Sequence, residues 1–251
     1  MQVNLTIIFN MKSINKALND ANQIVFLDFE GTQFSQEIIA IGAYKAILDN
    51  KKQVIKYDDG FKIYVYTDTK IDGLITNLTG ITQNQLTNEG VSFVDAIAKF
   101  KKYVGNNLNF TSFMTYGNFD MRLLYNTASI YKIEENEFIQ TILHKNIDFS
   151  HILSTYVRSD KNEQLSLINA LRLYKITPEG DIHNPQSDAK NLMLLYKAFL
   201  SNKAINKEQY LKVLMHNPHV QNPIHKALRK IVTDKVCTYD DLLNFIEEEF
   251  K

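Results

Sequence analysis

The stretch IVFLDFEGT, residues 24–32, contains the pattern that decides the fold prediction. Its apolar run is typical of a buried β-strand, and the strand ends in two carboxylates, Asp28 and Glu30. Side chains at positions i and i+2 of a strand point to the same face of the sheet. Two like charges held side by side at the end of an apolar strand cost free energy unless something compensates them. The stretch alone leaves three explanations for how the two charges are compensated: a metal ion, a reacting phosphate or bulk water.

The segments after this stretch alternate between strand and helix patterns. EIIAIGAYKAIL (37–48) is predicted as a second strand, and its near-continuous apolar character indicates cover on both faces. FKIYVYTD (61–68) alternates apolar and polar residues with the period of a half-buried strand. Because short turns join the three strands, we predict an antiparallel meander. TSFMTYGNFDMRLLYNTA (111–128) indicates a short buried strand that turns into a helix near residue 118 or 119, and NIDFSHIL (146–153) is either a fifth strand or the start of a helix.

Apolar residues recur at helical spacing in three longer segments, residues 92–105, 165–176 and 187–200. Ser92 is the predicted N-cap of the first segment, and Gly105 is its predicted end. Pro178 and Gly180 close the second segment. Ser187 is the predicted N-cap of the third.

Beyond residue 200 the composition changes, and two or three short helices punctuated by prolines are predicted as a helical appendage. Four basic residues of this appendage share one helical face: His225, Lys226, Arg229 and Lys230. Two interpretations remain for this basic face: it is exposed to solvent, or it contacts a nucleic-acid backbone. We therefore divide the chain into an N-terminal lead-in at 1–23, a main domain at 24–200 and a helical C-terminal extension at 201–251.

The composition sets limits on the class of protein. With 45% apolar and 22% charged residues among 251, the chain resembles an ordinary soluble globular protein. No apolar stretch approaches the roughly 18–20 residues that span a bilayer, so no membrane partner is expected. The balance of 28 basic and 28 acidic residues argues against broad duplex binding, but not against a pocket for a few nucleotides. The single cysteine fits a reducing compartment, and we expect a cytoplasmic protein.

Three carboxylate sites stand at the ends or beginnings of predicted elements. The first is the pair Asp28 and Glu30, the second is Asp120 in TYGNFDMRLL, and the third is Asp188 in HNPQSDAKNL. His183 precedes Asp188 by five residues in a loop that contains proline. Each has an ordinary structural explanation when taken alone, since strand-end acids are often solvated and acids near helix N-termini stabilise the helix dipole.

Their joint presence favours a metal site. Four carboxylates that converge in one place are unstable without cations, and two Mg²⁺ or Mn²⁺ ions about 3.5–4 Å apart would neutralise them and hold a phosphodiester. Oxygen ligands suit such hard cations and do not suit zinc. A histidine beside them can take the proton of an attacking water.

The three acidic motifs resemble, in chain order, those of the DEDDh (DnaQ-like) 3′-to-5′ exonucleases. The residues that carry this resemblance are FLDFEGT, YGNFD and HNPQSDAKNL, with the His-x₄-Asp spacing of the DEDDh branch in the third. EIIAIGAYKA resembles the second strand of the family, LTGITQNQL (78–86) its Leu-Thr-Gly-Ile-Thr segment, and LSLINALRLYKI the helix before motif three. The resemblance covers residues 24–200. DFEGT with YGNFD is most similar to the ERI-type RNA-trimming members.

The resemblance implies a fold and a set of roles. The fold would be α/β and ribonuclease H-like, with a mixed five-stranded sheet flanked by helices and the helical appendage at the C-terminus. The implied metal ligands for two Mg²⁺ or Mn²⁺ ions are Asp28, Glu30, Asp120 and Asp188, and His183 would be the general base. Contacts to the terminal nucleotide are implied for Gly31 and Thr32, and packing on terminal bases for Leu78, Thr79 and Ile81.

The leading hypothesis from the sequence is a metal-dependent 3′-to-5′ exonuclease that releases nucleoside monophosphates from single-stranded or 3′-overhanging nucleic acid. RNA is favoured slightly over DNA because of the trimming-type motif context. One alternative is a catalytically silent nucleic-acid-binding module on the same fold, although all the carboxylates are present. Another is a phosphatase similar to the haloacid dehalogenases, although their motif has Asp at the position where this chain has Glu30.

Overall fold

The computed structural model describes residues 12–181, 183–216 and 222–248. Part of the predicted lead-in, residues 1–11, lies outside these ranges. The described strands form one six-stranded sheet in the order β3-β2-β1-β5-β6, with β4 also paired to β2. The strands are β1 (Gln23–Gly31), β2 (Ile38–Leu48), β3 (Val54–Tyr57), β4 (Phe61–Tyr64), β5 (Thr111–Thr115) and β6 (Asn146–Asp148). No helix in the described part of the chain is both long and apolar enough to cross a membrane.

The predicted mixed sheet and its antiparallel meander are confirmed. β1 pairs antiparallel with β2, and β2 pairs antiparallel with β4, while β5 and β6 continue the sheet in parallel with β1. The structure adds β3, which pairs with the far end of β2 and was not predicted. Its residues are largely exposed and show no apolar alternation. The segment 146–153 contains both predicted alternatives, a short strand followed directly by a helix.

Twelve α-helices are present among the described residues. They are α1 (Lys12–Leu18), α2 (Gly73–Thr79), α3 (Gln83–Glu89), α4 (Phe93–Val104), α5 (Phe119–Ile130), α6 (Glu137–Lys145), α7 (Phe149–Ser154), α8 (Leu167–Leu173), α9 (Pro185–Ser201), α10 (Lys203–Met215), α11 (Asn222–Asp234) and α12 (Tyr239–Glu247). The predicted N-cap Ser92 accepts a hydrogen bond from the Asp95 N–H of α4, and Gly105 caps the other end. The prediction for Ser187 was wrong, because Asn184 caps α9 and Ser187 lies inside its first turn.

Alternate residues of the sheet face two separate apolar clusters. On one face, Ile24 and Phe26 of β1 pack with residues of α1, α7, α8 and α9. On the other face, Val25, Leu27 and Phe29 pack with residues of α4, α5 and α6. Because side chains alternate along a strand, Asp28 lies on the α9 face of β1. A third, smaller cluster joins α2 and α3 to β2.

The segments before and after the sheet contribute to its core. Ile14 and Leu18 of α1 are 1% exposed, so this part of the predicted lead-in belongs to the first apolar cluster. In α10, Asn206 is fully buried, accepts a hydrogen bond from the Tyr174 hydroxyl and donates one to the Phe199 carbonyl. The first helix of the predicted extension is therefore bound to the main domain by buried polar contacts.

The last two helices, α11 and α12, pack against each other. Two of the four basic residues of the predicted basic face have carboxylate partners, since Lys226 pairs with Glu248 and Lys230 pairs with Asp241, each at 2.6 Å. These ion pairs favour a structural role for that part of the face.

Candidate active site

The end of β1 places the first two acids. Asp28 and Glu30 follow Ile24 and Phe26 on the face that α9 covers, and both carboxylates are partly buried. The register of β1 against β2 shifts between Glu30 and Gly31. The extra residue at this shift is Ile39 of β2, and a bulge bends the strand that carries it. β1 ends at Gly31, which still pairs with Ile38 and lies one residue after the second carboxylate.

Asp120 reaches β1 from the first turn of α5. Its side chain is 6% exposed, and its Oδ1 accepts a hydrogen bond of 2.8 Å from the backbone N–H of Phe29. Phe29 lies between Asp28 and Glu30, so this bond joins the second acidic motif to the first. Asp120 is therefore more than an acid that stabilises a helix dipole.

Asp148 supports the turn that leads to Asp120. Its Oδ1 accepts hydrogen bonds from the Gly117 N–H at 3.0 Å, the Ser150 hydroxyl at 2.5 Å and the His151 N–H at 3.3 Å. Gly117 has a φ of 109° and lies three residues before Asp120. The carboxylate at the end of β6 thereby fixes the start of α5.

The start of α9 brings the third motif to the sheet. Asn184 caps the helix by accepting from the Gln186 N–H, and Pro185 occupies the first turn. The helix approaches the sheet at Gly42, which stands opposite Asp28 in β2. A Cβ atom at Gly42 would lie 2.0 Å from the carbonyl carbon of Pro185. Only glycine therefore permits α9 to lie this close to the sheet.

Asp188, Glu30 and His183 meet at this contact. One ligand atom from each lies within 4.8 Å of the other two. His183 has a φ of 62°, and its backbone N–H donates to Asp188 Oδ2 at 3.0 Å. Asp188 Oδ1 is buried and has no hydrogen-bond partner among the described residues. A buried carboxylate oxygen without a partner, beside a second acid and an imidazole, fits a divalent cation.

The neighbouring acids raise the pKa values of Asp28 and Glu30. Burial, followed by the charges of Asp120, Glu30 and Asp188, raises the pKa of Asp28 well above its usual range. Burial and the same kind of repulsion raise the pKa of Glu30 to about 8, while the charge of Lys62 lowers it.

The pKa values of the other two acids are also raised, and burial is the main cause. Burial raises the pKa of Asp120 to about 7, against the effect of the Phe29 N–H. Burial also raises the pKa of Asp188, and the His183 N–H opposes this shift. The four sequence-predicted acids thus form one electrostatically coupled cluster that a bound cation would stabilise.

We expect the melting temperature of the metal-free protein to fall as the pH rises from about 5 to about 8. Carboxyls with pKa values near 4 in the unfolded chain stay protonated to higher pH in the folded chain, so the folded state binds more protons and loses stability as pH rises. Calorimetry in a chelator tests this, and added Mn²⁺ is expected to stabilise most near pH 8. A melting temperature that rises with pH over this range would contradict the repulsion between Glu30 and Asp120.

The predicted nucleotide contacts Gly31 and Thr32 lie directly after the acidic strand end. A Cβ at Gly31 would lie 2.6 Å from Leu123 Cδ2 and 3.2 Å from the Glu37 carbonyl oxygen, so the backbone here packs tightly on α5. Thr32 is 3% exposed, and its hydroxyl accepts from the Glu37 N–H and pairs with the Ser35 hydroxyl. Its side chain is thus engaged within the turn.

The predicted base contacts divide into exposed and buried residues. Leu78 is 49% exposed at the end of α2. Thr79 donates to the Ile75 carbonyl and accepts from the Ile81 N–H, which fixes the turn between α2 and α3. Ile81 is 2% exposed and packs in the third apolar cluster, so its side chain holds this segment on the sheet.

Two residues of the site were missed in the sequence. Gly42 lies within an ordinary apolar strand pattern, and Lys62 looked like the polar side of a half-buried strand. Both become visible through strand register, because Gly42 stands opposite Asp28 and Lys62 stands opposite Gly42. No local signal in the sequence marks either position.

Solved structures with the same fold are nucleases. The nuclease domain of 3′hExo, a DEDDh family member bound to rAMP, aligns with a TM-score of 0.59 at 21% identity, over 74% of this chain and 94% of that domain. The cell-death related nuclease CRN-4 aligns with a TM-score of 0.61 at 16% identity, over 73% of this chain and 65% of that one. Escherichia coli exonuclease I, solved with a dT13 oligonucleotide, aligns with a TM-score of 0.57 at 16% identity, over 76% of this chain and 43% of that one.

Sequence comparison gives the family. No curated protein sequence matches the chain. Residues 25–196 match the family profile RNase T, which is described as "Exonuclease". The match includes the acids of all three motifs and most of α9. The fold is that of the ribonuclease H-like exonucleases, as the structural similarity to 3′hExo also shows. The chain therefore belongs to the RNase T family of exonucleases.

Proposed function

We propose that this chain is an active, metal-dependent 3′-to-5′ exonuclease that releases nucleoside monophosphates. The observation that carries the proposal is the convergence of three separate motifs at one end of the sheet. Asp120 accepts a hydrogen bond from the Phe29 N–H between the two acids of β1. Asp188 in the first turn of α9 and His183 just before that helix lie close to Glu30. A catalytically silent module has usually lost one or more of these carboxylates. In this chain all four acids and the histidine are present.

The acids Asp28, Glu30, Asp120 and Asp188 would hold two divalent ions, Mg²⁺ or Mn²⁺. Such ions, when bound, neutralise the phosphodiester and lower the pKa of a coordinated water. The chain prepares the site by keeping Asp188 Oδ1 without a competing donor and by fixing Asp120 on the Phe29 N–H. Asp120 Oδ1 is thus held in place before any ion binds, and Asp188 Oδ1 remains available to one.

His183 is the proposed general base. Its ring reaches within 4.8 Å of Glu30 and Asp188 oxygens, and its backbone is tied to Asp188. A histidine exchanges protons readily near neutral pH, so it can take the proton from water as the oxygen attacks phosphorus. The backbone at Gly31 and Thr32 and the exposed side chain of Leu78 are the proposed contacts for the terminal nucleotide.

Single-stranded or 3′-overhanging nucleic acid is the proposed substrate, with RNA slightly favoured over DNA. Two structural relatives favour RNA, since one was solved with rAMP and another, a 3′-exonuclease, with the histone mRNA stem-loop. The phosphatase alternative is wrong, because the family and the fold are those of exonucleases.

The test is digestion of matched RNA and DNA oligonucleotides labelled at the 5′ end. We expect a ladder of products shortened from the 3′ end, mononucleotides as the released species, and complete dependence on Mg²⁺ or Mn²⁺. A 3′-phosphorylated oligonucleotide serves as a matched substrate with a modified terminus. Absence of metal-dependent shortening of any RNA or DNA would contradict the proposal and favour the silent binding module.

A further inference from the structure

The register of β1, β2 and β4 places a lysine on the same face as the acids. Asp28 stands opposite Gly42, and Gly42 stands opposite Lys62. Glu30 stands opposite Ala40, and Ala40 stands opposite Tyr64. Residues that are directly opposite in paired strands have side chains on the same face. Lys62 and Tyr64 therefore extend the acidic face of the sheet outward by two strands.

The neighbours of Lys62 in β4 confirm this orientation. Phe61 and Ile63 pack against the cluster on the opposite face, together with Leu27 and Phe29. Lys62 is partly exposed, and the backbone of Pro185 at the start of α9 lies over Gly42, between Lys62 and Asp28. The side chain is thus on the acidic face and accessible to solvent.

The charge of Lys62 is not used in an ion pair. Its Nζ lies 4.9 Å from the centroid of the Tyr64 ring. Within the described ranges, no carboxylate lies within ion-pair distance of it, whereas Lys45, Lys190, Lys226, Lys230 and Lys235 each have one. The charge nevertheless acts on Glu30, whose pKa it lowers. A partly exposed ammonium group thus stands beside the acidic cluster without a partner of its own.

A nucleic-acid strand must bring several phosphates to this acidic face. Bound cations can neutralise the reacting phosphate, but its neighbours remain negatively charged next to the carboxylates. A lysine at the edge of the face offers three rotatable donors and a positive charge for such a phosphate. We propose that Lys62 is a substrate-binding residue that contacts a phosphate of the bound strand adjacent to the scissile linkage. This inference rests on the proposed exonuclease function.

The first test compares Lys62→Met with the unaltered chain over a series of salt concentrations. Loss of one phosphate contact should raise KM for a single-stranded oligonucleotide about tenfold, leave kcat within about twofold, and reduce the slope of log affinity against log salt by about 0.7. Lys62→Arg should keep the slope. The matched control is Lys56→Met, which removes an exposed lysine from β3 on the opposite face of the sheet and should change neither value.

The second test neutralises the phosphates one at a time. Oligonucleotides carry an uncharged methylphosphonate at the second or third linkage from the 3′ end, with the scissile linkage left intact. In the unaltered chain one of these substitutions should raise KM, and in Lys62→Met the same substitution should cause no further increase. Equal effects in both proteins at both linkages would overturn the inference.

Other outcomes separate this inference from the proposed function. If Lys62→Met changes the Mg²⁺ requirement but keeps the salt slope, Lys62 acts on the acids alone and the inference is wrong. If the unaltered chain does not hydrolyse nucleic acid, the proposed function fails, and the salt slope is then measured from oligonucleotide binding by fluorescence anisotropy. A slope that does not depend on Lys62, or no binding at all, overturns the inference there too.

Discussion

Replacement of Asp28 by asparagine is expected to abolish nuclease activity while it stabilises the metal-free protein. Asp28 lies between Asp120, Glu30 and Asp188, whose charges all raise its pKa. Asparagine keeps the size of the side chain but removes one of four mutually repelling charges, so unfolding should cost at least about 1 kcal/mol more, or about 2–4 °C in melting temperature. The same change removes a metal ligand and should lower kcat about 10³-fold, equivalent to about 4 kcal/mol of activation free energy.

The measurement pairs single-turnover nucleotide release in Mn²⁺ with calorimetry in a chelator. The matched control is Asp160→Asn, since Asp160 is an exposed acid in the loop before α8. The control should keep both the activity and the melting temperature. Activity that survives in Asp28→Asn would show that this carboxylate is not a ligand, and a lower melting temperature without metal would show that it stabilises the fold.

Replacement of Gly42 by alanine is expected to cost activity without any change in the catalytic side chains. The added methyl group would lie 2.0 Å from the carbonyl carbon of Pro185, so either β2 or the start of α9 must move. Asp188 and His183 are fixed to that start, and a displacement of about 1 Å can reduce the rate about 10²-fold. Overpacking should also destabilise the fold by about 1–3 kcal/mol.

The control for this change is Gly73→Ala at the start of α2, where no atom lies within 4 Å of the added carbon. Activity and chemical denaturation are measured on both variants. A folded Gly42→Ala protein with unchanged kcat would refute the role of this contact in placing motif three.

Local patterns were enough to find the acids and the elements that carry them. Asp28 and Glu30 end a strand whose apolar run is visible in the sequence, and Asp120 follows a short strand at a predicted turn. The start of α9 was placed three residues late, although Asn184 followed by Pro185 is a recognisable cap with proline in the first turn. This dipeptide is the local signal that marks the start of the helix.

Features that depend on contacts between distant segments could not be found in this way. The residues of β3 are largely exposed, and the strand forms because β2 is long enough to pair with both β4 and β3. The roles of Gly42 and Lys62 arise from register across three strands, which no single strand encodes. The resemblance implied packing on a terminal base for Ile81, and the structure adds that its side chain packs with residues of α2, α3 and β2.

The buried Asn206 of α10 has a consequence for how the protein can be shortened or fused. A fragment that stops at residue 200 would uncover the Tyr174 hydroxyl and the Phe199 carbonyl, and it would leave both without their partner. Recombinant fragments should therefore retain α10, and a tag or second protein is better joined after residue 216 than at the end of α9.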